Sequence, residues 1–369
     1  MNLPNGVRRG VRMGVVAFAA AVLAGCSMVP TYERPVAPVA ADFPYGSSAT
    51  GAPAADLQWQ SFFADARLRE LIAAALANNR DLRVAILNVE QTRAQYDIRS
   101  ADRFPTIGAA ATASRAPKSG GGTSTNYTVG LGITAWEIDF FGRIAALSEA
   151  ALAQYLATDE GRKAAQMTLI SSVANTWLSL VADEEVMDLT RQTLATREDS
   201  LRLTRLRFDN GAASELDFRQ AQSLFESARV AYAQQQRQRA IDINALTLLV
   251  GQPLPANPPV AKGTATISLP DLPAGTPSEV LVRRPDVRQA EQQLIAANAN
   301  IGAARAAFFP RISLTAAIGT ASTQLSGLFN NGSWAFTAAP GVTLPIFDAG
   351  RNSANLRVAN VSRDIAIAQ

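Results

Sequence analysis

The chain has 369 residues, no histidine, a single cysteine and a formal net charge of +3. Without histidine it cannot form histidine metal sites, Ser-His-Asp triads or Cys-His nucleophiles. An enzyme that uses carboxylates alone would still fit this composition, but no constellation of polar residues marks one. Three arginines and no acidic residue stand in the first 25 residues, so the remainder is close to neutral and gives no support for a nucleic-acid partner.

Residues 1–25 have the pattern of a secretory signal peptide. A basic start is followed by an apolar run at 15–23, which is shorter than the roughly 20 residues that a membrane-spanning helix needs. The sequence Leu-Ala-Gly-Cys that ends at Cys26 is similar to the lipobox of bacterial lipoproteins, which implies cleavage before Cys26 and a covalent lipid on it. By resemblance to lipoprotein sorting, Ser27 in place of aspartate implies the outer membrane and not the inner one. The alternative is an uncleaved signal with a cysteine there by chance.

The rest of the chain contains an internal repeat. Residues 78–105 align with 283–310 at a shift of 205, and a Gly-Arg dipeptide recurs at a shift of 208. Each repeat predicts a helix, a Phe-Pro break, two strands, the Gly-Arg pair and a long helix. The identities that carry the repeat include Asp81/Asp286, Arg83/Arg288, Phe104/Phe309, Pro105/Pro310, Gly142/Gly350 and Arg143/Arg351.

These landmarks divide the chain into five segments. They are a signal peptide at 1–25, a lipidated N-terminal segment at 26–66, a first repeat at 67–252, a Pro-rich linker at 253–277 and a second repeat at 278–369.

The predicted strands are 104–115 and 126–139 in the first repeat, and 310–320 and 334–347 in the second. In all four, apolar residues alternate with small or polar ones, which is the pattern of an outer-membrane β-barrel strand. An ordinary half-buried sheet would alternate in the same way. Aromatic residues stand near the strand ends, where an aromatic girdle would lie: Tyr127, Trp136, Trp334 and Phe336.

A very long helical hairpin is predicted at 143–250. The stretch 143–208 contains no proline and one glycine, so its 66 residues would make a helix of about 99 Å. Gly211 is suited to end this helix, and Ser214 is suited to cap the next, with Asp217 three residues on in a near capping box. Apolar residues recur every seven positions, which predicts a coiled-coil seam: Val173, Leu180, Met187, Leu194, Leu201 and Phe208.

Four strands cannot close a barrel, and open sheet edges are not tolerated in lipid. The strands must therefore be completed by further copies of the chain, and the hairpins are too long and too charged to lie in a bilayer. These constraints predict an α+β membrane protein that forms a conduit from the periplasm to the exterior.

The segment 269–291, with the sequence LPDLPAGTPSEVLVRRPDVRQAE, resembles the central signature of TolC-like, NodT-type outer-membrane efflux lipoproteins. Residues 26–35 resemble that family's mature N-terminus, and its opening segment is matched by Trp59, Phe62, Asp65, Leu68 and Leu71. The resemblance implies a homotrimer with a twelve-stranded barrel, four strands per protomer, above a periplasmic α-helical barrel. It also implies passive export of drugs or other small toxic compounds, with no cofactor beyond the lipid on Cys26.

The resemblance further implies two partners, a periplasmic adaptor and an inner-membrane pump of the resistance-nodulation-division type. The tip of the hairpin, at 207–217, is similar to the motif where family members meet the adaptor. The alternative is that the tip residues serve the turn alone. The matching residues are Arg207, Gly211, Ser214, Leu216 and Asp217.

After the second Gly-Arg pair only 18 residues remain. We therefore expect a fragment that lacks the second hairpin, which in the family carries the residues that constrict the periplasmic aperture. Two alternative functions are a periplasmic adaptor and the outer-membrane component of a type I secretion system. An adaptor would have one hairpin flanked by small β-domains instead of a tandem repeat.

Overall fold

The computed structural model describes residues 27–36, 58–254 and 279–369. The predicted signal peptide, the predicted lipidation site Cys26 and all but the first residues of the Pro-rich linker lie outside these ranges. In chain order the helices are α1 Trp59–Phe62, α2 Ala66–Asn78, α3 Arg80–Ala101, α4 Arg143–Asp209, α5 Glu215–Val250, α6 Glu279–Arg283, α7 Pro285–Ala306 and α8 Arg351–Ala368. The strands are β1 Ile107–Pro117, β2 Thr123–Ile138, β3 Arg311–Ser322 and β4 Trp334–Thr343.

The chain forms two compact units. Within the described residues, the sheet unit comprises 27–36, Val89–Thr158 and Arg288–Gln369, and the hairpin unit comprises 58–88, 159–254 and 279–287. The units do not follow the two sequence repeats, because each unit draws on both.

In the sheet unit, the four strands form one antiparallel sheet in the order β1-β2-β3-β4. Ile133 lies opposite Ile107, and Leu131 lies opposite Ile318. Residues that face each other across a ladder share a face of the sheet, so the apolar positions of the four strands line one face. Strands β1 and β4 form the two edges.

The strand bounds differ from the predicted ones where turns compete with the ladder. The first strand begins at Ile107, not at 104, because the Phe104 N–H donates to the Ala101 carbonyl (2.9 Å) in a turn after α3. The second begins at Thr123, not at 126, because a short turn closes at Lys118, whose N–H donates to the Gly122 carbonyl (3.0 Å). The third strand runs over Arg311–Ser322 instead of 310–320.

The fourth strand ends at Thr343, not at 347. Pro345 follows two residues later, and a proline has no N–H to donate to a ladder. The apolar alternation of the sequence continues past this point, so it did not reveal where the hydrogen bonding stops.

A β-bulge interrupts β2 between Ile133 and Trp136. Ala135 has a positive φ of 50°, and its N–H donates to the Thr315 hydroxyl (3.2 Å). The extra residue changes the alternation, so that Trp136 lies opposite Leu314. Trp136 therefore shares the apolar face with Ile133.

Residues 27–36, which we call the N-terminal strap, lie antiparallel along α7 within the sheet unit. Arg34 makes two hydrogen bonds to the Glu291 carboxylate (2.7 and 2.6 Å), and the Tyr32 hydroxyl donates to the same group (3.1 Å). Farther along, the Asn298 amide donates to the Pro30 carbonyl (2.7 Å). A Cβ on residue 302 would lie 2.5 Å from a Val29 methyl carbon, so this close approach requires Gly302.

Helices α4 and α5 form the long hairpin, joined by residues 210–214. The hairpin unit contains α4 from Asp159 onward and all of α5. The heptad seam is fully buried at Val173 and Leu180, half-buried at Leu194 and exposed at Phe208. Helix α2 packs on the buried end of the hairpin, where the Trp177 indole N–H donates to the Asp65 carboxylate (2.8 Å). In the part of the chain that the structure describes, no helix has the length and apolar character needed to cross a membrane.

Candidate functional site

The tip of the hairpin turns sharply at Gly211. Helix α4 ends in a Schellman motif, in which the Ala212 N–H donates to the Arg207 carbonyl (2.7 Å) and the Gly211 N–H to the Phe208 carbonyl (2.9 Å). Gly211 has a φ of +72°, the left-handed conformation that this motif requires. No heavy atom would lie within 4 Å of a Cβ at this position, so only the backbone conformation demands glycine.

Helix α5 begins with a complete capping box. The Ser214 hydroxyl accepts the Asp217 N–H (3.1 Å), and the Asp217 carboxylate accepts the Ser214 N–H (3.1 Å). Hydrogen bonds from Ser214, helped by the charge of Arg207, hold the pKa of Asp217 below its usual range. Aspartate therefore completes the box that glutamate or glutamine forms in most helices.

The five predicted tip residues are all exposed. The structure brings four of them together through the turn and the cap: Arg207, Gly211, Ser214 and Asp217. Leu216 takes no part in these hydrogen bonds, and its side chain is 66% exposed. An exposed leucine beside a polar turn is an available apolar contact for a partner.

An aromatic pair joins α4 to α5 next to the turn, and the sequence patterns did not predict this contact. The rings of Phe208 and Phe218 stack with centroids 5.5 Å apart and planes 9° apart. The Arg219 guanidinium carbon lies 5.6 Å from the centroid of the Phe218 ring. Phe208 lies five residues before Ala213, in the middle of the turn, and Phe218 lies five residues after it. This equal spacing was the signal that could have paired them.

A second polar feature lies between α4 and α5, at Asp183 and Asp242. Burial, together with the neighbouring Asp183 carboxyl, raises the pKa of Asp242 from 3.8 to about 6. Gln235 donates to Asp183 (3.1 Å) and Gln238 to Asp242 (3.3 Å). Among the described residues no donor reaches Asp242 Oδ2, so a proton on this carboxyl would relieve both burial and repulsion.

The apolar face of the sheet is the other candidate surface. The register places four aromatic residues on the same face as Leu131 and Ile318, with Trp136 near one end of β2. The opposite face is made of small residues, and Gly130 lies directly opposite Gly319. Across the described ranges, no group of three or more Asp, Glu or Cys side chains could hold a metal ion. The four aromatic residues are Tyr127, Trp136, Trp334 and Phe336.

A four-stranded sheet with two open edges, connected to a long helical hairpin, defines the class of protein: one protomer of an outer-membrane channel. The family model for outer membrane efflux proteins matches residues 71–252 and 276–369. The chain belongs to this family.

Two relatives by sequence and one solved structure are similar to this chain. Outer membrane protein OprJ of Pseudomonas aeruginosa is 47% identical over 370 residues, covering 96% of this chain and 76% of OprJ. The toluene efflux pump outer membrane protein TtgC of Pseudomonas putida is 43% identical over 366 residues, covering 96% of this chain and 76% of TtgC. The open state of the MtrE outer membrane channel of Neisseria gonorrhoeae superposes with a TM-score of 0.84 at 43% identity, covering 93% of this chain and 78% of MtrE.

These comparisons confirm the family and the predicted fold class, a protomer of a TolC-like trimeric channel. The protein is an outer-membrane component of an efflux pump and not an enzyme. The roles of the tip residues, the lipid on Cys26 and the identity of the pump partners stay predictions.

Proposed function

We propose that three copies of the chain form a twelve-stranded barrel, which serves as the exit duct of a tripartite pump. The open edges of the four-stranded sheet are the observation that carries this proposal. An unpaired edge leaves backbone N–H and C=O groups without partners, each of which costs several kcal/mol in hydrocarbon. Pairing β4 with β1 of the next copy removes every edge.

The cargo in this proposal is a set of small, toxic and largely apolar compounds, such as drugs and solvents. The names of the relatives support it, because TtgC belongs to a toluene efflux pump and SrpC of Pseudomonas putida to a solvent efflux pump. The duct conducts passively, while an inner-membrane pump of the resistance-nodulation-division type supplies the energy.

The hairpin tip in this proposal docks a periplasmic adaptor. Three leucines near the turn support an apolar contact, because Leu203, Leu206 and Leu216 are about 60% exposed or more. Arg207 and Asp217 place opposite charges beside them, which would set the orientation of a partner.

The lipid on Cys26 in this proposal anchors the chain in the inner leaflet of the outer membrane. The N-terminal strap supports it, because Val29 packs at Gly302, nine residues before β3 begins. The three residues from 26 to 29 can span about 10 Å when extended. A lipid at Cys26 would therefore lie within reach of the bilayer that the strands enter.

The docking role is tested with Leu216→Lys, in a host that also produces an adaptor and a pump. Leu224→Lys is the matched control, since Leu224 lies two turns along the same helix and is also half-exposed. Both changes should leave trimer yield intact, because an exposed substitution shifts stability by only about 0.5 kcal/mol. Crosslinking to the adaptor and drug resistance should fall for Leu216→Lys alone.

Asp217→Arg is a poorer test, because Asp217 belongs to the capping box, so the change would break that box and also reverse the surface charge. Ser214→Ala separates the two effects, since it breaks the same box without altering charge. If Leu216→Lys crosslinks and exports as well as Leu224→Lys, the tip is only a turn and the docking proposal is wrong.

A further inference from the structure

The internal repeat predicts how one copy of the sheet pairs with the next. Strands β1 and β3 are equivalent, because the Phe-Pro pairs before them and the isoleucines Ile107 and Ile312 recur at a shift of 205. Ile107 pairs with Ile133, and Ile312 pairs with Val342. A residue of β2 therefore corresponds to the residue 209 positions later in β4.

The bulge in β2 explains why this shift changes along the strand. Strand β2 has one extra residue at Ala135, whereas β3 and β4 pair without interruption. Beyond the bulge the shift is therefore 208, which is also the shift between the two Gly-Arg pairs. Ile138 accordingly corresponds to Ile346.

Strand β2 shows what the free side of β4 should meet. It pairs with β3, with Ile138 opposite Ile312 and Leu131 opposite Ile318. Transferred by the repeat, the first pair becomes Ile346 with Ile107 of another copy. The second pair becomes residue 340 with residue 113. These two points lie on opposite sides of the bulge, and both define the same register.

We propose that β4 and the residues after it pair antiparallel with β1 of the neighbouring copy, with Ile346 directly opposite Ile107. The inference rests on the proposed multimeric barrel and adds the register of its interface. A slip by one residue would place Ile346 opposite Gly108 and turn the apolar side chains of one strand to the other face.

The exposure of the side chains fits a missing neighbour at this place. Ile346 is 94% exposed and Ile107 is 67% exposed, whereas their in-chain equivalents Ile138 and Ile312 are half-buried. The same contrast in exposure is seen three residues before Ile107 and Ile312, at two phenylalanines. Phe309 stacks on Phe141 with ring centroids 4.9 Å apart, but its repeat equivalent Phe104 is 71% exposed.

Paired cysteines in the full chain test the register. Ile107→Cys combined with Ile346→Cys should form a disulfide between copies, because side chains directly opposite have Cβ atoms about 4.5–5.5 Å apart. Ile138→Cys with Ile312→Cys is the in-chain reference, which should form without linking copies. The single changes control for the native Cys26.

Two slipped pairs complete the experiment: Ile107→Cys with Leu344→Cys, and Ala109→Cys with Ile346→Cys. We expect covalent dimers and trimers on non-reducing gels of outer membranes from the predicted pair, at about ten times the yield of either slipped pair, since diagonal neighbours lie about 7–8 Å apart. A slipped pair that links better, or trimers in which the predicted pair never links, would overturn the register.

Native mass measurement of the unlinked protein distinguishes a wrong register from a failure to form trimers. If trimers form and export while the register is wrong, this inference fails and the proposed function stands. If no trimers form, the proposed function fails and the inference fails with it.

Discussion

Gly211 and Ser214 stabilise the hairpin tip in different ways, and the sequence predicted both roles. Glycine is required because residue 211 has a positive φ, and serine because the first N–H groups of α5 need an acceptor. Both requirements are local, so a few neighbouring residues were enough to predict them. The stack of Phe208 on Phe218 was missed because it depends on how the two helices pair.

Gly211→Ala should lower the free energy of unfolding by about 1–2 kcal/mol. The whole effect should come from backbone strain, since nothing lies near the added Cβ. Gly211→Asn should cost less, because asparagine tolerates the left-handed region. Chemical denaturation followed by circular dichroism measures both. Equal losses for the two variants would show that steric contact, not φ, decides the cost.

Asp242 should make the stability of the folded chain depend on pH. Burial and the Asp183 carboxyl raise its pKa to about 6, above the ordinary value of 3.8. The folded state then binds more protons than the unfolded state between these two values, so stability falls as the pH rises from about 4 to about 6. Above that window the contribution stays constant, because both states are ionised.

Asp242→Asn should remove this slope and stabilise the protein near pH 8 by about 1–3 kcal/mol. At pH 4 the variant and the parent should differ little. Denaturation at a series of pH values tests this, with Asp188→Asn on the exposed surface of α4 as the control. The assignment would be contradicted if the parent became more stable between pH 4 and 6 and Asp242→Asn removed that increase.

The strands were predictable as elements, but their pairing was not. Period-2 alternation predicted four strands with one apolar face, because the pattern is written in each strand separately. The bulge at Ala135 depends on Thr315, which is 180 residues away and which no local pattern connects to it. The link from Trp177 to Asp65 spans 112 residues and was missed for the same reason.

Adjacent residues of β3 test which face of the sheet meets lipid. Ile318→Arg should lower the yield of assembled protein in the outer membrane, because arginine on the lipid face costs about 2–4 kcal/mol near the bilayer midplane. Ala317→Arg is the matched control, since Ala317 is exposed on the opposite face. Heat-modifiable mobility on gels measures assembly. Equal tolerance of the two changes would show that the apolar face does not meet hydrocarbon.

At the scale of the whole molecule, the repeat and the long heptad series predicted the fold class, while the family resemblance predicted the export function. The two compact units cut across the repeats, because each unit is built by segments distant in sequence. No pattern within a single repeat could have revealed that division. The proposed roles of the hairpin tip and of the sheet edges depend on partner chains. These two contact surfaces are therefore inferred from the exposure of side chains and from the pairing of strands.

The central claim is that this protein is the exit duct of an efflux pump. Its most direct test is the accumulation of a fluorescent efflux substrate in cells that lack their own outer-membrane efflux proteins but contain an adaptor and a pump. Cells producing this protein should accumulate several-fold less dye than cells with an empty vector, and Leu216→Lys should abolish that difference. Trimers present in the outer membrane, with dye accumulation equal to that of the empty vector, would contradict the claim.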